Sequence, residues 1–135
     1  VTQALDTNVL IRHLTGDPPD QASRASAYLA AAQPRSLLLL DLHLAETVFV
    51  LEGPYRRSRK QVATVLLAVL GLPAIEVENA RRIARAVELY AGSAFDFADA
   101  YLVAAAEELG VADVVSFDRF DAKLRRASAV RRREP

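Results

Sequence analysis

Five carboxylates in this 135-residue chain stand where their placement suggests chemistry. Asp6 directly follows a short apolar run, and Asp118 directly follows another. Asp96 and Asp99 lie three apart where a helical pattern opens, so their side chains fall near one face. Glu46 interrupts the otherwise apolar stretch Leu44-Ala-Glu-Thr-Val-Phe-Val-Leu. An ionised carboxylate on a buried face is costly unless it is paired or bound to a cation. Each acid taken alone has an ordinary explanation. An aspartate between strand and helix caps the first free N–H groups, which would account for Asp6, Asp96 or Asp118. Glu46 could point at solvent. Asp99 is harder to explain in this way, because it lies past the cap position among Phe97, Ala98, Ala100, Tyr101, Leu102 and Val103. Taken jointly, acids at strand ends and on inward helix faces would converge at one edge of a parallel sheet. Their mutual repulsion there would demand a counter-ion. Oxygen-only ligands suit Mg²⁺ or Mn²⁺ and not zinc.

The elements that must position these groups can be read from the hydrophobic pattern. Residues 3–5 form the end of a short strand. Asp6-Thr7-Asn8 then opens a helix with apolar Val9, Leu10 and Leu14, stopped near Gly16 and Pro18-Pro19. A second helix runs over 20–32 and breaks at Pro34. Residues 36–40 are continuously apolar, as in a strand buried on both faces. A helix over 42–51 ends at Gly53-Pro54. The next helix spans 58–70, with Ser58 as N-cap and Gly71 as its stop. A strand over 74–77 precedes a helix over 79–90, ended by Gly92. A further helix over 97–109 ends at Gly110, followed by a last strand over 112–117 and a short helix over 118–126. Such alternation predicts an α/β sandwich around a parallel sheet, with functional groups at the carboxyl ends of the strands.

Composition narrows the class further. The length suits one domain with a proper core. Hydrophobic residues make up 52% and charged residues 25%, a globular balance without a disorder signature. The absence of cysteine excludes disulfide scaffolds, thiolate zinc sites and cysteine catalysis. No apolar run approaches the roughly 18 residues of a bilayer span, and no basic segment precedes a long apolar one, so a soluble cytoplasmic protein is expected. Net charge is 0, yet residues 119–135 hold seven Lys/Arg against two acids, so a basic end balances an acidic body.

Four segments in order, Leu5-Asp-Thr-Asn-Val-Leu-Ile-Arg, Ala-Glu46-Thr-Val-Phe-Val-Leu, Asp96-Phe-Ala-Asp99-Ala and Ser116-Phe-Asp118, resemble the PIN-domain ribonucleases. The subgroup most similar is that of the VapC-type toxins of type II toxin–antitoxin pairs, and the likeness runs from about residue 3 to 124. It implies a three-layer α/β/α sandwich with a mainly parallel central sheet and one domain over 1–135. Residues 127–135 lie past the likeness and are expected to form a flexible tail. The likeness also implies that Asp6, Glu46, Asp99 and Asp118 form the acidic site. Asp6, Asp99 and Asp118 would bind Mg²⁺ or Mn²⁺ directly, with Glu46 and Asp96 open to binding through water. Asn8, Asp96 and Ser116 would support them. Phe49 stands where many relatives carry tryptophan, a departure in packing. Asp121 is a peripheral acid at most.

The resemblance implies metal-assisted phosphodiester hydrolysis of RNA, leaving 5′-phosphate and 3′-hydroxyl ends, with no catalytic histidine pair. His13 and His43 are accordingly read as structural or surface residues. An acidic site needs flanking cations to hold RNA. Arg12 and Arg119 are the nearest in sequence, and the clusters 56–60 and 81–85 are further candidates. Helices 42–51 and 62–70 carry apolar residues on more than one face, which fits a homodimer or a partner groove. The expected partner is a VapB-like antitoxin that fills a groove with a helix. Other classes fit less well. An aspartate-based phosphatase would have a second aspartate where Asn8 stands, and a phospho-receiver domain would have a lysine near the last strand. A PIN-like RNA-processing nuclease without an antitoxin and a non-catalytic RNA- or protein-binding scaffold remain as alternatives.

Overall fold

The computed structural model describes all residues, 1–135. Seven helices and five strands follow in the order β1 (Gln3–Ala4), α1 (Thr7–Thr15), α2 (Pro19–Ala31), β2 (Leu37–Leu39), α3 (Asp41–Glu52), α4 (Arg59–Leu70), β3 (Ile75–Val77), α5 (Ala80–Ser93), α6 (Phe97–Leu109), β4 (Asp113–Val115), α7 (Asp121–Ala127) and β5 (Arg131–Arg133). Every strand pair is parallel, as expected for an α/β chain of this rhythm. The hydrogen bonds divide the strands into two ladders, β1-β2-β3 and β4-β5. The chain packs as two compact units, Val1–Ala80 and Arg81–Pro135.

In the first unit β2 is the central strand. Its Leu37 and Leu39 are buried on one face, and Leu38 is half-buried on the other, so the strand is covered less evenly than the unbroken apolar run predicts. Helices α1 and α2 cross over from β1 to β2, and α3 and α4 cross over from β2 to β3. Leu10 and Ile11 of α1, Leu44, Val48 and Leu51 of α3, and Val62, Leu66 and Val69 of α4 form the apolar interior. Their spacing of three and four is the buried stripe of a helix. The start of α4 has a full capping box. Ser58 Oγ accepts from the Gln61 N–H at 3.2 Å, and Gln61 Oε1 accepts from the Ser58 N–H at 2.9 Å. Such a cap stabilises a helix by about 1 kcal/mol. The carboxyl edge of this ladder carries Asp6 after β1, Asp41 after β2 and Glu78 after β3.

The second unit is built around aromatic contacts. Tyr90 of α5 meets Phe97 of α6 edge-on at 5.9 Å, and Phe95 meets Phe120 in the same manner at 5.7 Å. Gly92 does not stop α5, which continues to Ser93 and ends where Ala94 turns to a φ of 58°. Glycine costs a helix only about 1 kcal/mol, and packing of Leu89 and Tyr90 outweighs it. The last helix begins at Asp121, later than the expected 118, because residues 116–120 make a turn after β4. Nor are residues 127–135 a free tail. Arg131–Arg133 pair with β4, and Arg132 donates to Asp121 Oδ2 at 2.8 Å and to the Ser116 carbonyl at 2.7 Å. Arg133 pairs with Asp113 at 2.7 Å, so part of the basic end balances local acids.

Arg85 ties this unit together. It grips both oxygens of Glu107 at 2.7 and 3.0 Å and donates to the Ala127 carbonyl at 2.6 Å, while Ser128 donates to Glu107 Oε2 at 2.6 Å. The Arg85 guanidinium holds the Glu107 carboxyl below its ordinary value of 4.5. A group whose folded value is depressed stabilises above its unfolded value and loses that contribution as pH falls through the folded one. Glu107→Gln is therefore expected to cost about 2 kcal/mol at neutral pH. In urea titrations the difference from the parent chain should fade below pH 4.5.

Candidate functional site

Asp6 occupies the N-cap position of α1, yet its side chain makes no capping hydrogen bond. No basic side chain pairs with it, and it is exposed to solvent. The local explanation for an aspartate at a strand–helix junction therefore does not apply here. Asp41, at the equivalent end of β2, differs in every respect. It is buried and receives the Asn79 N–H at 3.2 Å and the Asn79 side-chain amide at 2.9 Å, while its own N–H donates to Glu78 Oε1 at 3.1 Å. One acid of the carboxyl edge locks the fold, and the other is available.

Glu46 of α3 is half exposed, at 51% of its side chain. It is reached by Thr7, whose hydroxyl lies 3.3 Å from Glu46 Oε1 and 3.4 Å from the His43 carbonyl. Thr7 is buried, so the contact is sheltered. The His43 ring lies 3.7 Å from the same Glu46 oxygen through Nε2, and its Nδ1 is buried without a partner. Thr7 is not among the residues that the sequence pattern singles out. The only available signal was a hydroxyl residue between Asp6 and Asn8, one step into the helix. Asn8 itself makes no hydrogen bond to Asp6, although both line the same groove.

In the second unit, Asp96 is the N-cap of α6 and accepts the Asp99 N–H at 2.8 Å. The ordinary capping role is thus the observed one for Asp96. Asp99 follows in the first helical turn, partly buried. Burial raises its carboxyl above the usual aspartate value, and repulsion from Asp96 and Asp118 adds to the rise, with Lys123 offsetting a part. Asp118 is exposed in the turn after β4, where its N–H donates to Ser116 Oγ at 3.0 Å. It caps no helix, since the N-cap of α7 is Phe120. Asp121 is paired with Arg132, which holds its carboxyl below the ordinary range.

Neither lysine nor arginine forms an ion pair with Asp6, Glu46, Asp99 or Asp118, whereas Glu76, Glu107, Glu108, Asp113 and Asp121 all have arginine partners. No three histidine or carboxylate groups are gathered so that they could hold a metal ion as they stand. The donor chemistry nevertheless fits a hard divalent ion, being carboxylate oxygen throughout. Among the candidate cations, Arg12 is held by Gln21 at 2.6 Å and Arg119 is exposed. Arg82 and Arg85 are engaged with Glu108 and Glu107.

Two outcomes follow. Because the folded value of Asp99 is raised, its ionised form destabilises the fold above that value, and the penalty vanishes once pH falls below the unfolded value of 3.8. Asp99→Asn should therefore raise the Tm at neutral pH, with the gain shrinking as pH falls. Calorimetric scans across pH check this. Thr7→Val should leave Glu46 untethered and reduce any hydrolytic activity about tenfold, with Thr7→Ser restoring it.

Residues 4–128 match the PIN domain family. The chain is 28% identical over 121 residues to a VapC ribonuclease of Aquifex aeolicus (strain VF5), covering 89% of this chain and 90% of that protein. With the parallel α/β fold and the ordered series of acids, the match over nearly the whole length means that this chain belongs to the PIN-domain family.

Proposed function

We propose that this chain is a divalent-metal-dependent endoribonuclease, the toxin of a VapBC-type pair, with residues 1–135 as a single PIN-like domain. The observation that carries the reading is the contrast among its acids. Asp6, Glu46, Asp99 and Asp118 form no ion pair with arginine or lysine, whereas Glu76, Glu88, Glu107, Glu108, Asp113 and Asp121 each have an arginine partner. Carboxylates kept without a cation of their own are suited to receiving one.

Asp6, Asp99 and Asp118 are the direct ligands in this reading, with Glu46 and Asp96 binding through water. Mg²⁺ or Mn²⁺ held there would supply the charge that lowers the pKa of a water molecule and offsets charge on the phosphate. Asp6 would hold the ion without loss of a helix cap, because it makes no cap bond. Glu46 is tethered through Oε1 by Thr7, which leaves its other oxygen to orient water or take its proton. Ser116 steadies the turn that carries Asp118, and Asp96 fixes the start of α6 that carries Asp99. The water oxygen bonds to phosphorus as the bond to the 3′ oxygen breaks. The 3′ oxygen takes up a proton, giving 3′-hydroxyl and 5′-phosphate ends. Arg12 and Arg119 are the cations assigned to the RNA backbone, and Asn8 supports the Asp6 end of the site.

The exposed apolar side chains Leu42, Phe49 and Leu67 on α3 and α4 supply a surface for a second copy of the chain or for a VapB-like antitoxin. The reading places its action in the cytoplasm, where its RNA substrate lies; no helix is long and apolar enough to cross a membrane.

The purified chain should cleave RNA with Mg²⁺ or Mn²⁺ and stop with EDTA. Asp6→Asn, Asp99→Asn and Asp118→Asn should each lower the rate more than a hundredfold with the fold retained, since loss of even an outer support of a metal ligand costs about 10- to 100-fold. Expression of the chain alone in bacteria, with new 5′ ends mapped in total RNA, distinguishes the readings. Growth arrest relieved by Asp6→Asn identifies a toxin. Cleavage without arrest identifies a processing nuclease, and no cleavage with any divalent ion rejects the enzyme.

A further inference from the structure

The run Arg131-Arg132-Arg133 forms β5, and strand alternation sends its middle side chain to the face opposite its neighbours. The two faces differ. The Arg133 side chain is 71% exposed, whereas that of Arg132 is 10% exposed. A buried guanidinium is costly unless its donors are met. Arg132 offsets that cost with two acceptors. Its Nε donates to Asp121 Oδ2 at 2.8 Å, and its Nη1 donates to the Ser116 carbonyl at 2.7 Å.

Those two acceptors are the feet of one turn. Ser116 follows β4, Asp121 begins α7, and Phe117, Asp118, Arg119 and Phe120 lie between them. One planar guanidinium therefore ties together the two ends of the turn that carries Asp118. The backbone adds to the tie, since the Ser116 N–H donates to the Arg133 carbonyl at 3.0 Å. Phe120 is buried against Phe95 at the α7 end. At the crest Phe117, Asp118 and Arg119 are exposed, and the Asp118 N–H is held by Ser116 Oγ. Asp118 repels Asp99, and a turn fastened at both feet limits how far that repulsion can move it. We propose that Arg132 is a positioning residue for Asp118. By tying Ser116 to Asp121 it holds the Asp118 carboxylate where it serves the divalent ion assigned to it above. The role of Asp118 rests on that reading, whereas the tie itself does not. Lysine would keep the charge of Arg132 but would lack the planar fork that meets two acceptors in fixed directions.

Variants of the full chain separate positioning from stability. Arg132→Lys keeps the charge and loses the fork. Arg133→Gln removes the pair with Asp113 from the same strand and leaves the side-chain tie in place. Mn²⁺ binding is read from the electron paramagnetic resonance signal of the free ion, well below the Tm of each variant, so that every sample is folded. Arg132→Lys should weaken Mn²⁺ binding about tenfold, the loss usual for an outer support of a metal ligand, and Arg133→Gln should leave it unchanged. If Arg132→Lys does not fold, Asp121→Asn tests the same tie with the bond from Arg132 to Ser116 kept. Amide hydrogen exchange in EDTA gives a readout that needs no metal. The Asp118 amide should exchange faster in Arg132→Lys than in the parent, with α6 unchanged. Equal Mn²⁺ affinity in the parent and Arg132→Lys overturns the assignment, even where the turn has loosened. An equal loss of affinity in Arg133→Gln also overturns it, because β5 would then act only through stability. A parent that binds no Mn²⁺ removes the metal reading and the role of Asp118 with it. Faster exchange in Arg132→Lys would then still show the tie, so the two failures are told apart.

Discussion

Like charges do not stay close in a folded chain unless something offsets them, and that constraint governs how the acids here are to be understood. Asp99 shows it most directly. Partial burial and the fields of Asp96 and Asp118 all act against its ionisation. The start of α6 offsets part of the cost, because the N-terminal end of a helix favours negative charge. Asp96 strengthens that geometry by accepting the Asp99 N–H. The helix therefore tolerates an acid pair that it does not neutralise. A fold retains such a cost where the charged groups have a use, and the use proposed above is to receive a divalent ion.

The rest of the chain makes the contrast sharp. Its basic residues are not in short supply, and many are placed on acids with good geometry. Arg85 grips Glu107, Arg82 grips Glu108, and Arg132 grips Asp121. Such pairs depress the carboxyls they hold, as Glu107 and Asp121 show. The arginines that remain without acids include Arg12, which is held by Gln21. Charge is thus divided into three groups: internal pairs that hold the second unit together, acids without cations, and cations without acids. The second and third are what a polyanionic substrate and its metal would use.

Small local devices do the positioning. The Thr7 hydroxyl joins the start of α1 to Glu46 of α3, and Ser116 fixes the turn before Asp118. Asp41, buried among Asn79 and Glu78, secures the carboxyl edge from which Asp6 projects. Each is a short polar side chain that restrains a backbone junction, and such junctions are where loops meet a rigid scaffold.

Local chemistry was legible in the order of residues alone. Hydrophobic period and cap residues located α6 at its observed bounds and Ser58 as the N-cap of α4, and the unbroken leucines marked β2 as a strand. The order and spacing of the acids were legible too, because they sit at element ends that pattern defines. Three-dimensional packing decided what pattern could not. Asp6 and Asp96 look alike as strand- or loop-to-helix aspartates, yet only Asp96 forms its cap bond. Tertiary contacts kept α5 intact through Gly92 and drew Arg131–Arg133 into a strand by anchoring Arg132 to Asp121. Thr7 and Glu46, 39 residues apart, meet only because α1 and α3 lie side by side. Periodicity and capping are short-range and can be read from neighbours in the chain. Which charges are neutralised depends on partners brought together by crossovers, and no local window contains both.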